Sequence, residues 1–154
     1  MENKFLKIKK CENYNYFYAE RLGKDSVAFI LYDQRTKRFG LILEYKPPID
    51  SFLSTAFGGS IDKSCSLQQI VEDEVREEAG YTDAKIYYQG KAFVSTQMNQ
   101  FCHLYLVDVT QAKKSEPEPE NDMESIASVV WQDRAEVVLG DCWKAATIIL
   151  RSHL

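Results

Sequence analysis

One segment of the chain, residues 66–80, has the pattern of an amphipathic helix with a marked start and a marked end. Ser66 and Gln69 have the spacing of an N-terminal capping box, and Gly80 suits the left-handed position that follows a last helical turn. Between these ends, apolar residues recur at the spacing of one helix face: Leu67, Ile70, Val71 and Val75. The pattern predicts a helix over residues 66–79 that packs by this face against a core.

Most other apolar segments of the chain have the composition of β-strands. Runs rich in β-branched and aromatic residues predict strands at residues 27–32, 39–45, 85–94, 101–109 and 126–131, with an early edge strand at 14–21. A second helix is predicted over residues 142–150, and its apolar face would carry Trp143, Ala146, Ile149 and Leu150. Strands, a central helix, more strands and a terminal helix predict a mixed α+β sandwich.

The composition narrows the class of protein. The 154 residues suit one domain spanning residues 1–154, and a net charge of −4 without a long Lys/Arg run makes nucleic acid a poor partner. No apolar run approaches the ~18 residues of a membrane span, and the first residues lack the apolar centre of a signal peptide. The four cysteines are scattered without a CxxC pair, which argues against a zinc site or a disulfide framework. We therefore expect a cytoplasmic protein with neither a nucleic-acid nor a membrane partner.

Residues 113–123 have the composition of a linker rather than of a helix or a strand. Proline and glutamate alternate within this segment, and proline disfavours both helix interiors and strand pairing. Because apolar segments resume on both sides, the pattern predicts a long mobile loop inside one domain.

The predicted central helix carries several carboxylates on one face. Glu74, Glu77 and Glu78 stand at i, i+3 and i+4, and only Arg76 lies among them as a cation. One interpretation is a solvated acidic face. The other is a site for a hard divalent cation, because Mg²⁺ binds carboxylate oxygens together with substrate phosphates. Glycine before the helix, at Gly59, would let a backbone carbonyl approach the same cation.

The segment containing these carboxylates resembles the Nudix box. That motif reads Gly, five residues, Glu, seven residues, Arg-Glu-aliphatic-x-Glu-Glu-x-Gly-apolar. Two positions depart from it: Cys65 replaces the first Glu and Asp73 replaces the Arg, which in the family form a supporting ion pair. The chain matches the motif without a gap at Gly59, Glu74, Val75, Glu77, Glu78, Gly80 and Tyr81. The resemblance implies the Nudix fold, in which a mixed sheet lies between helices (α/β/α).

The resemblance also implies a metal and residues that hold it. Mg²⁺, or Mn²⁺, would be bound by the carbonyl of Gly59 and by the carboxylates of Glu74, Glu77 and Glu78. Glu77 would act as a ligand or as a catalytic base. In similar pyrophosphatases a carboxylate from a later loop assists, and here Glu124 is the first catalytic candidate. Asp122 and Glu120 are the next candidates for the same role.

Two segments outside the box resemble ADP-ribose and NDP-sugar pyrophosphatases. The sequence around Glu44 and Lys46 is similar to the Glu-Gln-aromatic-Arg segment upstream of the box, with Lys46 where arginine is usual. Downstream, Ser95 begins a segment similar to the Ser-Pro-Gly marker, with Thr96 in place of the proline. The resemblance implies that Glu44, Lys46 and Ser95 bind substrate. The alternative for Lys46 is a solvent-facing residue at a strand end.

The activity implied by the resemblance is metal-dependent hydrolysis of a small nucleotide, ADP-ribose to AMP and ribose 5-phosphate. Dinucleoside polyphosphates, NADH, FAD and NDP-sugars are alternative substrates. Because Cys65 and Asp73 depart from the motif, a nucleotide-sensing module without catalysis is a further alternative. A plain interaction domain with an acidic helix is the third class. Similar enzymes are commonly homodimers, so a homodimer is expected.

Overall fold

The computed structural model describes residues 6–21, 23, 25–61, 64–118 and 128–154. Its strands within these ranges are β1 (Leu6–Lys10), β2 (Phe17–Arg21), β3 (Ser26–Asp33), β4 (Arg38–Lys46), β5 (Ser51–Thr55), β6 (Tyr81–Thr82), β7 (Lys85–Ser95), β8 (Met98–Asp108), β9 (Lys113–Lys114) and β10 (Ser128–Gln132). The α-helices are α1 (Leu67–Ala79), α2 (Arg134–Leu139) and α3 (Trp143–Ser152), and a short 3₁₀ turn at Pro47–Ile49 follows β4.

A mixed sheet forms the middle layer, with β3 near its centre. β3 pairs in parallel with β8 and antiparallel with β4, and β7 pairs antiparallel with the other edge of β8. The β1–β2 hairpin extends this sheet through a parallel contact between Ala19 and Met98, while β10 borders β4 at the opposite end. The strands β6 and β9 form a separate small pair.

The two central strands separate, and this separation positions the site described below. β3 and β4 pair only as far as Leu31 and Gly40. Beyond that point β5 pairs with β4, and the chain that follows β5 bridges to β3 at Phe57 and Ser60. This segment is therefore inserted between the two strands, and it brings Gly58 and Gly59 to the beginning of β3.

Side chains of β3 alternate between two hydrophobic clusters, one on each face of the sheet. Val27, Phe29 and Leu31 pack with the buried face of α1, whereas Ala28 and Ile30 pack with α2 and α3. Successive strand residues point to opposite faces, so a fully buried β3 requires helices on both sides. The predicted α+β fold with a sheet between helices is confirmed.

Helix α1 begins and ends as its sequence predicts. The side chain of Ser66 accepts a hydrogen bond from the backbone N–H of Gln69 at 3.1 Å, and Gly80 adopts a left-handed conformation at φ 67°. The Gln69 side chain, however, donates to Asp73 rather than back to the cap, so only half of a capping box forms.

The sequence predicted the position of helix α3 correctly but assigned the wrong face of the helix to the core. Its buried residues are Ala145, Ile148 and Ile149, while Trp143 and Leu150 are exposed. α3 packs against both the sheet and α2, and the short α2 was not predicted because six residues are too few for a periodic pattern. The predicted stripe through Trp143, Ala146 and Leu150 is therefore rotated away from the core.

The described part of the predicted loop is ordered against α1. Its first residues form β9, and the backbone N–H groups of Ser115 and Glu118 donate to the carbonyls of Gly80 and Glu77. Within the described ranges no helix has both the length and the apolarity to cross a membrane. The four cysteines are all described, and none forms a disulfide.

Candidate active site

A cleft of about 570 Å³ opens where β3 and β4 separate. Glu44 and Lys46 of β4 line it, and so does the beginning of α3. The inserted segment with Gly58 and Gly59 also lines it, together with Glu78 of α1. The cleft therefore collects residues from at least four separate segments of the sequence.

Two of the three predicted metal-binding carboxylates lie against the glycine pair. The backbone N–H of Gly58 donates to Oε2 of Glu78 at 3.2 Å. Gly59 is so close to Glu74 that a Cβ atom on it would stand 1.9 Å from Oε1 of Glu74. Glycine is required at position 59 for this approach, because any side chain would displace the carboxylate.

The third carboxylate, Glu77, has a different environment. Its Oε1 atom lies 2.8 Å from the guanidinium of Arg76, which also binds Glu118 of the following loop. Glu77 is not among the residues that line the cleft. In the part of the chain that the structure describes, no group of three or more His, Cys, Asp or Glu side chains is arranged to hold a metal ion.

The oxygen atoms at the glycine pair are of the kind that a hard cation binds. They are the carboxylate oxygens of Glu74 and Glu78 and the carbonyl oxygen of Gly59, which accepts one hydrogen bond from Val27 at 2.9 Å and retains a second lone pair. Mg²⁺ binds through one or two carboxylates and completes its shell with substrate phosphates and water. These residues fit such an ion, and their role as ligands stays a prediction.

Glu44 and Lys46, which line the same cleft, are paired with each other. The ammonium group of Lys46 donates to Oε1 of Glu44, and the hydroxyl of Thr55 donates to the same oxygen at 2.8 Å. Both charged side chains remain partly exposed to the cleft. The sequence did not indicate Thr55, because its partnership with Glu44 depends on the pairing of β4 with β5.

The end of β4 is held by its neighbouring tyrosine. Tyr45 donates to the carboxylate of Asp50 across the turn that starts at Pro47. This hydrogen bond raises the pKa of Tyr45, because the carboxylate stabilises the protonated phenol. The contact restrains the strand end that presents Lys46 to the cleft.

The remaining predicted residues lie elsewhere. Ser95 is at the turn between β7 and β8, where its hydroxyl accepts from the Gln97 N–H at 3.2 Å, and it does not line the cleft. Of the two departures from the motif, Cys65 is exposed, and Asp73 accepts a hydrogen bond from Gln69. The loop carboxylates Glu120, Asp122 and Glu124 lie outside the described residues.

Three further residues of the cleft were not predicted as site residues. Arg21 donates to the hydroxyl of Ser60 at 2.9 Å, and Gln100 and Trp143 line the same cleft. Trp143 had been assigned to the apolar face of α3. A tryptophan at a predicted helix start was the only sequence signal for it, and that signal does not separate core from cleft.

Comparisons with known proteins support the fold. No protein-family model matches the sequence, and no curated protein matches it either. Among 234 solved chains that match by structure, one is a crystal structure of an ADP compounds hydrolase. It agrees with this chain at a TM-score of 0.78, covering 99% of this chain and 87% of that chain at 11% sequence identity. The Nudix-like α+β fold is thereby confirmed.

Proposed function

We propose that the chain hydrolyses a nucleoside diphosphate linked to a second moiety, with ADP-ribose cleaved to AMP and ribose 5-phosphate. The observation that supports this proposal is the shared cleft. Glu44 and Lys46, which resemble a substrate-binding segment, line the same cleft as Gly59 and Glu78, which resemble part of a metal-binding box. The fold of an ADP compounds hydrolase provides independent support at the level of architecture.

The charges of the cleft explain why a divalent cation belongs to the proposal. Carboxylates repel a diphosphate, so Glu74 and Glu78 would hold Mg²⁺ or Mn²⁺ together with the carbonyl of Gly59. When bound, the ion neutralises phosphate charge and lowers the pKa of a water ligand. Lys46 adds a positive charge to the same cleft, and its pairing with Glu44 fixes its position.

Two carboxylates are candidates for the catalytic base, Glu77 and Glu124. Glu77 is held by Arg76 beside the metal-binding pair, which suits a positioning role or a ligand role after side-chain rotation. Glu124 belongs to the loop outside the described residues and is the alternative base. Replacing each by glutamine and comparing the pH dependence of kcat would separate them, because loss of the base removes the acidic limb of the profile.

The direct test measures AMP release from ADP-ribose by the purified protein with Mg²⁺. The wild type should release AMP, and Glu78→Gln should lose nearly all of that activity. Glu72→Gln is the matched control, because Glu72 is on the same helix, is exposed, does not line the cleft, and accepts a hydrogen bond from the side chain of Gln68. Equal inertness of all three proteins on ADP-ribose, NDP-sugars, NADH, FAD and dinucleoside polyphosphates would contradict the proposal.

A nucleotide-sensing module is the second candidate. It is favoured by the environment of Glu77 and by Cys65 and Asp73, which stand where the motif has an ion pair. Calorimetry distinguishes the two functions, since a sensor binds ADP-ribose without forming product. A plain interaction domain would show neither nucleotide binding nor a Mg²⁺-dependent rise in melting temperature.

The homodimer and the cytoplasmic location are also proposals. The β1–β2 hairpin, at the edge of the sheet, exposes Leu6, Ile8 and Phe17. An exposed apolar edge strand favours association with another chain. We propose that a second copy of this chain covers the β1–β2 hairpin.

A further inference from the structure

The aromatic residue that would contact a nucleobase can be identified by elimination within the cleft. Among the described residues that line it, two carry aromatic rings, Phe57 and Trp143. Phe57 is fully buried and stacks on Phe29 with ring centroids 5.1 Å apart, so neither of its faces is available. Trp143 is 40% exposed, so its indole remains accessible to a ligand.

Trp143 is exposed although the helix that carries it is firmly packed. It is the first residue of α3, whose next turns bury Ala145 and Ile148 completely. The preceding residue, Cys142, accepts a hydrogen bond at Sγ from the backbone N–H of Ala56, at 3.3 Å. The beginning of α3 is thus fixed to the inserted segment, and the indole is placed at the cleft wall rather than in the core.

A second residue of the cleft has unused hydrogen-bonding capacity. Gln100 is only 4% exposed, yet its side-chain amide has no hydrogen-bond partner within the described part of the chain. No fully buried side-chain nitrogen or oxygen of the described residues is unpaired, so this amide is accessible from the cleft that it lines. A buried amide without a partner is costly unless a ligand or water satisfies it.

We propose that Trp143 and Gln100 form a nucleobase subsite, with the base stacked on the indole and its edge bonded to the amide. The amide offers a donor beside an acceptor, which is the complement of the edge of adenine. The subsite deepens the proposed function, because it places the base of the substrate at the α3 wall and the diphosphate at Glu78. It would operate equally in a protein that binds the nucleotide without cleaving it.

The test uses the two tryptophans of the chain, Trp131 and Trp143. Trp131 packs against the sheet core near Gly40 and does not line the cleft. In Trp131→Phe the emission comes from Trp143 alone, and AMP should quench it whereas ribose 5-phosphate should not. In Trp143→Phe, which retains Trp131, AMP should leave the emission unchanged. Absence of AMP quenching in Trp131→Phe, or equal quenching in both variants, overturns the subsite.

The affinities of variants for AMP test the subsite without relying on fluorescence. Trp143→Ala should weaken AMP binding by about tenfold to a hundredfold, as loss of a base-stacking ring does. Gln100→Leu should weaken it by up to about tenfold, as loss of one neutral hydrogen bond does. Leu150→Ala is the control for disturbance of α3, because Leu150 is an exposed residue of the same helix that does not line the cleft. Circular dichroism establishes that each variant is folded.

The outcomes separate this inference from the proposed function. If the wild type cleaves no nucleotide but AMP binding depends on Trp143, the subsite stands and the hydrolase proposal fails. If the wild type cleaves ADP-ribose and Trp143→Ala has an unchanged KM and unchanged AMP affinity, the subsite fails and the hydrolase proposal stands.

Discussion

At the scale of single residues, Gly58 and Gly59 are neighbours with different reasons for being glycine. A Cβ atom on Gly59 would meet the carboxylate of Glu74, the mobile end of a side chain, whereas one on Gly58 would stand 2.3 Å from the backbone carbonyl of Val27. A side chain can rotate away and a paired strand cannot. A substitution at Gly59 should therefore affect the site, whereas a substitution at Gly58 should affect the stability of the fold.

This difference gives a paired prediction. Gly59→Ala should melt close to the wild type but lose about a hundredfold in kcat/KM, because Glu74 must leave its position. Gly58→Ala should instead lose about 1–3 kcal/mol of stability through overpacking against β3. Thermal melts and AMP release measure both. A Gly59→Ala protein with full activity would show that the position of Glu74 is unimportant.

A second residue-scale prediction concerns acid stability. Hydrogen bonds from Arg35, at 3.0 and 3.1 Å, lower the pKa of Asp33. Since the folded pKa lies below the unfolded value of about 3.9, the stabilisation is present above that pH and is lost as the pH falls through the folded pKa. Asp33→Asn should be less stable than wild type at pH 6 and should lose less stability on acidification. Urea titrations at pH 6 and pH 3 measure this, and parallel losses would contradict it.

At the scale of elements, the N-terminal cap of helix α1 contributes to its stability. This matters for the candidate site because α1 carries Glu74 and Glu78. Ser66→Ala removes the oxygen that accepts from Gln69 and should lower the free energy of unfolding by about 1 kcal/mol. Ser64→Ala, at an exposed residue two positions earlier, should change it by less than about 0.5 kcal/mol. Urea denaturation of both variants measures the difference. Equal stability would mean that α1 is held by packing alone.

At the scale of the whole molecule, the proposed homodimer would cover the β1–β2 edge of the sheet. Ile8 on β1 is 69% exposed, and a second copy covering it would bury this apolar surface. The wild type should therefore sediment at twice the chain mass of 17.8 kDa, and Ile8→Lys at the chain mass itself. Leu139→Lys, at an exposed residue at the end of α2, should leave the dimer intact. A monomeric wild type at all concentrations would contradict the homodimer.

The sequence by itself determined the features that depend on a few neighbouring residues. The limits of α1 follow from Ser66 and Gly80, whose hydrogen bonds and backbone angles are local. Strand positions and the α+β class follow from periodicity and composition. The placement of Glu74 and Glu78 on one helix face is likewise fixed by the helical repeat.

Only the tertiary structure decided which distant residues share the cleft. Glu44 and Glu78 line one cleft because β3 and β4 separate and a later segment enters between them, a choice of strand edge that no local pattern encodes. Packing of α3 against α2 and the sheet turned Trp143 from the predicted core to the cleft. Burial depends on the partners that a face meets, and those partners come from elsewhere in the chain.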